Sequence, residues 1–271
     1  MNKIITLATV VAGMLVSAHA PAKPRTAEEV RTCSRANLPE STMVQNVEMR
    51  AVDVDGNSQR IRSRFFLKRY SADETRATLQ VRAPLELEGV SYLMIDRKNH
   101  DALHLYLPTV GRTRRISGKQ ASSGMLNTDF SYEDIKQLRA VSAGGEVTLL
   151  DNAEMDGRAV HRLELRPGEN DDSGYDRIVF AVDQQTCVAL EAEFYEPGAR
   201  HVKTLAARVD SLQEIEGRWM ARELRMDDHV RNTHTLMTLL DVEYDEGVSN
   251  AIFNRASFYL AATVGWLLPQ Y

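Results

Sequence analysis

Cysteine is scarce in this 271-residue chain. Cys33 and Cys187 are its two cysteines, too few for a disulfide scaffold or a four-cysteine metal site. An excess of one charge is missing as well: 33 Lys and Arg against 38 Asp and Glu give −5, which argues against a nucleic-acid partner. Beyond the N-terminus no stretch reaches the roughly 18 apolar residues of a spanning helix. Also missing are a Gly-x-Ser-x-Gly elbow, a His-Glu-x-x-His pair and a glycine-rich phosphate loop. The seven His are scattered. His229 and His234, after Asp227-Asp228, lie five apart and so face opposite sides of a strand, which is awkward for joint metal ligation. The chain therefore reads as a non-enzyme that needs no metal or cofactor. What is present, 43% hydrophobic and 26% charged residues, is ordinary globular composition rather than a disordered or collagen-like one.

Met1-Asn2-Lys3 is a short cationic start, Ile4 to Val16 is almost wholly apolar, and the small residues Ala18, Ala20 and Ala22 follow. This predicts a secretory signal peptide over 1–22, cut before Lys23. A cut after Ala20 would leave Pro21 at the new terminus, and an uncleaved N-terminal anchor is the alternative. No cysteine near the junction offers a site for lipid modification. The destination is an oxidising compartment, the periplasm, with peripheral rather than integral membrane association. There, a pair of cysteines with none left over reads as one long-range disulfide, Cys33–Cys187, against the alternative of two separate buried thiols.

The mature chain, 23–271, reads as one domain. Thr26 as N-cap and Glu28-Glu29 in the first turn predict a helix from Ala27 to Asn37, ended by Leu38-Pro39. From Met43 on, the period becomes 2. Ile61, Ser63, Phe65 and Leu67 alternate with Arg62, Arg64, Phe66 and Lys68, and Thr75, Ala77, Leu79 and Val81 alternate with Arg76, Thr78, Gln80 and Arg82. The pattern returns near 103–107, 163–165, 188–194 and 236–244, marking half-buried strands. Asp55-Gly56, Asp156-Gly157, Ser173-Gly174, Pro197-Gly198 and Glu216-Gly217 punctuate them as hairpin turns do. About 10 or 11 antiparallel strands with no strand–helix–strand rhythm predict a mainly β fold. The form expected is a single large curved sheet, an unclosed β-barrel with its charged convex face in water. Plugs for the concave side would come from the first helix, from a lid segment at about 118–142, and from the apolar end, Phe258 to Leu268.

Residues 101–138 are the most distinctive. Leu103, Leu105 and Leu107 point one way, His104 and Tyr106 the other, and Pro108 and Gly111 break the strand. Arg112, Arg114 and Arg115 follow closely. Ser131 with Asp134 has capping-box spacing, predicting a helix from Tyr132 to about Leu138. The glycines at 118 and 124 predict a hinge before it. The bland alternatives are a solvated arginine face, Phe130 and Tyr132 as permanent core, and Asp129 bonded to its own turn.

Tyr106-Leu107-Pro108, Gly111-Arg112, Arg114-Arg115-Ile116 and Thr128-Asp129-Phe130-Ser131-Tyr132-Glu133-Asp134 resemble the signature of the outer-membrane lipoprotein-sorting family of LolA-like periplasmic proteins. Cys33 before Asn37-Leu38-Pro39, Cys187 before Glu193-Phe194-Tyr195-Glu196, and a late Thr233/Thr235 strand add to the resemblance. Asn127 departs from it where Gly is expected, though Asn tolerates a left-handed backbone. The resemblance implies an unclosed barrel and a cavity for a lipid, a lipoprotein acyl chain or another amphiphile. It also implies an RND/MMPL-type inner-membrane exporter and an outer-membrane acceptor as partners. On this reading Phe65, Leu79, Leu93, Leu103, Leu105, Leu107, Met125, Phe130, Tyr132 and Ile135 contact the ligand. Arg112, Arg114, Arg115, Asp129 and Asp134 are the polar residues of the cavity mouth and lid, where the arginines pin acidic residues or a headgroup. A sensor that reports lipid occupancy is the rival function, and a periplasmic hydrolase a more distant one.

Overall fold

The computed structural model describes residues 26–71, 73–97, 101–117, 121–143, 146–168, 173–244 and 247–260. The expected signal peptide, the glycine at 118 and the apolar run 261–268 lie outside them. In chain order come helix α1 (Ala27–Ala36), strands β1 (Thr42–Val52), β2 (Ser58–Ser71), β3 (Glu74–Ala83), β4 (Ser91–Arg97), β5 (Ala102–Leu107) and β6 (Arg112–Ile116), and helix α2 (Tyr132–Ala143). There follow β7 (Glu146–Leu149), β8 (Ala153–Met155), β9 (Arg158–Arg166), β10 (Arg177–Asp183), β11 (Ala189–Glu196), β12 (Arg200–Ala207), β13 (Leu212–Ile215), β14 (Arg218–Ala221), β15 (Glu223–Asp228) and β16 (Thr233–Tyr244).

One antiparallel sheet takes 14 of these strands, in the order β6-β5-β4-β3-β2-β1-β16-β15-β12-β11-β10-β9-β7 with β8 beside β9, and β13-β14 form a separate hairpin. The unclosed sheet matches the sequence reading, but the strand count exceeds it. The extra strands are short: β7, β8, β13 and β14 have three or four residues each, too few to display a period of 2. Near-neighbour pairing makes most connections hairpins. The longest exception is the stretch from β6 to β7, which leaves one edge of the sheet and rejoins at the other. The described residues between them, 121–143 with α2 among them, thus lie at the seam where the barrel fails to close.

Alternation decides the two faces. Ile61, Leu79, Tyr92, Met94, Leu103 and Leu105 share one buried cluster with Leu163, Leu165, Ile178, Phe180 and Phe194 from the far half of the sheet. Val30 of α1 and Met125, Phe130 and Tyr132 of the seam segment complete it. Residues from both halves of the sheet meet around the helices, so this is the concave face. Helix α1 starts as expected, with a full capping box between Thr26 and Glu29, and ends one residue early with Asn37 as C-cap.

The C-terminal segment corrects the sequence reading. Up to residue 260 it straps the convex face instead of plugging the concavity. Thr78 Oγ1 donates to the Ile252 carbonyl at 2.7 Å, Gln80 Nε2 to the Phe258 carbonyl at 2.6 Å, and Tyr259 stacks on Tyr106 at 3.8 Å. Phe253 packs with Val44 and Phe66. The convex face is therefore partly dry, because these rows present Phe66, Thr78 and Gln80 rather than an unbroken set of charges.

At the far end of β10, Asp183 is almost wholly buried. It accepts from Arg158 Nε at 2.8 Å, Arg158 Nη2 at 2.8 Å, and the Thr186 N–H and hydroxyl, each at 2.7 Å. Burial pushes its carboxyl up, but the Arg158 and Thr186 hydrogen bonds outweigh that, and the pKa falls to about 2 from 3.8. A depressed native pKa adds stability above the unfolded value, and that stability is lost as pH falls through the native value. Stepwise acid titration followed by circular dichroism should show wild type losing stability from about pH 4 down to about pH 2. Asp183→Asn should lack that component; parallel curves for the two would refute it.

Candidate functional site

The signature motif folds as a tight double turn leading into α2. Gly124 pairs with Ser131 in an isolated bridge, and Met125 N–H donates to the Phe130 carbonyl at 2.8 Å. A Cβ on Gly124 would stand 2.0 Å from the Thr128 carbonyl oxygen, so glycine is required there. Leu126 and Asn127 both take left-handed backbone, with φ of 55° and 60°. Asn127 thus supplies the conformation for which glycine was expected. The predicted cap is present: Ser131 N–H donates to Asp134 Oδ2 at 2.7 Å, and Asp134 N–H to Ser131 Oγ at 3.1 Å. Helix α2 runs beyond Leu138 to Ala143.

The motif's acids, expected at the cavity mouth or lid, lie buried inside a clasp. Asp129 is 2% exposed; it accepts from Arg231 Nη2 at 2.7 Å, Thr233 Oγ1 at 2.5 Å and Thr235 Oγ1 at 2.6 Å, while its N–H donates to Thr235 Oγ1. Asp134 is fully buried and accepts from Lys203 Nζ at 2.7 Å and the Tyr175 hydroxyl at 2.5 Å. Lys203 Nζ also donates to the Asp129 carbonyl at 3.0 Å. Burial pushes the Glu133 carboxyl up, opposed by hydrogen bonds from Ser173 and Ser122, by nearby Lys136 and by the Gly174 N–H. The Tyr175 hydroxyl is raised by burial and by Asp134 beside it. Arg231 also holds Asp228 at 2.8 Å; burial raises that carboxyl, but the Arg231 N–H and side chain bring it below the usual range. A cavity of about 310 Å³ adjoins the clasp, lined by Ser122, Glu133, Tyr175, Lys203, Val230 and Arg231 among others.

The three arginines expected at the cavity mouth lie on β6, apart from these acids. Arg112 and Arg114 face Leu107 and Leu105 across the β5–β6 ladder, on the concave side of the edge strand, and are exposed. Arg115 opposes His104 on the other face, and its Nη2 donates to the Asp101 carbonyl at 3.2 Å. Cations from β12 and the β15–β16 turn hold Asp129 and Asp134 instead. Of the residues expected to contact ligand, Leu79, Leu103, Leu105, Met125, Phe130 and Tyr132 lie in the concave cluster, with Phe65, Leu107 and Ile135 half-buried against it. Leu93 is the exception. It opposes Thr78 and His104 on the convex face and is fully buried there. Cys33 and Cys187 are joined as a disulfide.

Helices, seam and clasp together define a class: an open antiparallel half-barrel whose concave apolar face is covered by a fastened lid. A family model described as "uncharacterized protein" matches residues 73–259, and the chain belongs to that family. No curated protein matches the chain. Among solved structures, an outer membrane lipoprotein-sorting protein domain from Vibrio parahaemolyticus is 22% identical with a TM-score of 0.77, covering 86% of this chain and 98% of that one. A DUF1329 family protein from Desulfovibrio piger gives the same identity and TM-score over 86% and 99%. A LolA superfamily protein from Nitrosomonas europaea is 18% identical at a TM-score of 0.65, over 85% and 98%. The fold is thus LolA-like, as the sequence resemblance implies. Among the described residues no helix is long and apolar enough to cross a membrane.

Proposed function

We propose that this protein is a periplasmic carrier. It takes up the acyl chain of a lipid, a lipoprotein or another amphiphile on the concave face, beneath the seam segment, and passes it between membrane components. The observation that carries this reading is the seam. The chain that crosses it turns Met125, Phe130 and Tyr132 inward onto apolar strands, yet is fastened by Asp129 and Asp134 through polar groups. A lid held by hydrogen bonds and ion pairs can be released by competition at its rim while its apolar underside still welcomes hydrocarbon.

Magnitudes favour such a device. Each buried CH₂ contributes about 0.8 kcal/mol, so a sixteen-carbon tail costs on the order of 12 kcal/mol to carry bare through water. A concave face of leucines, isoleucine and phenylalanines offsets that once the lid is displaced. The name of one similar solved structure, the outer membrane lipoprotein-sorting protein domain, supports a lipoprotein as the cargo class. An RND/MMPL-type exporter as donor and an outer-membrane acceptor complete the proposal.

The test is uptake of a dansyl-labelled fatty acid by the purified mature chain, read as a saturable rise in fluorescence. Leu107→Glu places a charge at the half-buried edge of the concavity and should weaken uptake by about tenfold or more, with the melting temperature nearly unchanged. Leu105 is a poorer choice, because it is buried enough that a charge there would report on folding. Wild-type protein that takes up no probe would refute the carrier reading.

A further inference from the structure

Sheet topology sorts the hairpin turns onto two rims. One rim carries the turns β5–β6 (108–111), β3–β4 (84–90), β1–β2 (53–57) and β15–β16 (229–232), four successive hairpins along the sheet. Each presents an exposed aliphatic residue: Val110 at 60%, Leu85 at 81%, Val54 at 66% and Val230 at 59% exposure. The next hairpin, β11–β12, ends in Pro197-Gly198-Ala199. The opposite rim differs. Its exposed described turn residues are polar or glycine (Ser71, Asp73, Asp156, Gly157 and Gln185), the apolar members of the β10–β11 turn, Cys187 and Val188, being buried or half-buried, and half-exposed Tyr70 beside it packs edge-on against Phe253. That rim is also where the disulfide ties α1 to the β10–β11 turn.

We infer that the rim of aliphatic tips is a docking surface for a phospholipid bilayer. Paired strands lie about 4.8 Å apart, so tips two strands apart recur roughly every 10 Å. A protein interface of useful affinity has a contiguous apolar core. These tips stand singly with polar residues between them, an arrangement suited to insertion among headgroups at the hydrocarbon boundary. Acidic neighbours (Asp53, Asp55, Glu86, Glu88) offset basic ones (Arg82, Arg112, Arg231), so insertion rather than net charge supplies the attraction. The motif's clasp lies at this same rim: Arg231 and Val230 share one turn, and both line the cavity beside the lid. Docking would bring the lid's fastening to the membrane surface. The inference does not depend on the carrier reading.

The experiment is flotation of the mature chain with vesicles of phosphatidylethanolamine and phosphatidylglycerol, at low and high salt. Wild type should float in both. The triple variant Val54→Ser, Leu85→Ser, Val110→Ser should float about tenfold less or worse, because three apolar side chains leave the interface together, and its melting curve should match wild type since all three are exposed. Leu85→Ser alone, at the most exposed tip, should show a smaller loss in the same direction. The proposal is wrong if wild type stays soluble, leaving the tips for a protein partner, if the triple variant floats equally well, or if salt abolishes flotation. Uptake of the dansyl fatty acid should be unchanged in the triple variant, so a failed carrier assay and a failed flotation assay are separate results.

Discussion

Lys203→Met should lower stability by about 3 kcal/mol or more, the cost of leaving a buried carboxylate without its cation. The side chain is 9% exposed and that of Asp134 not at all, with 2.7 Å between Nζ and Oδ2. Asp134 keeps hydrogen bonds from the Tyr175 hydroxyl and the Ser131 N–H, which places the effect at the lower end of the range for broken buried pairs. For a domain of this size the midpoint should drop by about 2–4 °C per kcal/mol. Local opening should concentrate in residues 124–135, read as faster amide exchange there than in β2 or β10. The double variant Lys203→Met, Asp134→Asn removes the stranded charge and should recover part of the loss, since uncompensated charge is the main penalty. A single variant within 1 kcal/mol of wild type would show that the ion pair does not fasten the lid.

That pair also marks where sequence reading stops. The β architecture was legible because alternation over eight or more residues announces a half-buried strand, as in β2 and β3. The turn into α2 was legible because Ser131 and Asp134 satisfy each other within three residues. The clasp was not. Lys203 lies 69 positions from Asp134 and Arg231 lies 102 from Asp129, and only sheet register brings them together. In isolation Val202-Lys203-Thr204-Leu205 reads as an ordinary strand with an exposed lysine. The signal that could have raised suspicion was Thr233-x-Thr235, two hydroxyls on one strand face, both spent on Asp129.

Face assignment was the second limit. Phe258 and Tyr259 are apolar enough to fill a concavity, and composition cannot tell inside from outside. The discriminating residues were Thr78 and Gln80, uncharged polar groups on an otherwise charged row. Both donate to strap carbonyls. Likewise, three arginines within four residues suggested a common task, but alternation on β6 sends Arg115 to the face opposite Arg112 and Arg114. A cluster in sequence is divided by a strand where a helix would have kept part of it together.

Reducing the Cys33–Cys187 bond should lower stability by about 5 kcal/mol in the chain-entropy account, because it releases a closure spanning 154 positions. At about 2–4 °C per kcal/mol, the melting midpoint should fall by roughly 10–20 °C. The native state should nevertheless keep α1 in place near room temperature. Its C-cap Asn37 donates from Nδ2 to the Thr186 carbonyl at 2.9 Å and accepts from the Trp219 N–H at 2.9 Å, and Val30 stays buried in the concave cluster. Those contacts form only in the folded chain, whereas the covalent link also restrains the unfolded one. The double variant Cys33→Ser, Cys187→Ser should therefore fold to the same circular dichroism spectrum but unfold at lower temperature, and reductant should shift wild type to match while leaving the variant unmoved. A wild-type midpoint indifferent to reductant would mean that non-covalent docking of α1, rather than loop closure, secures this end of the sheet.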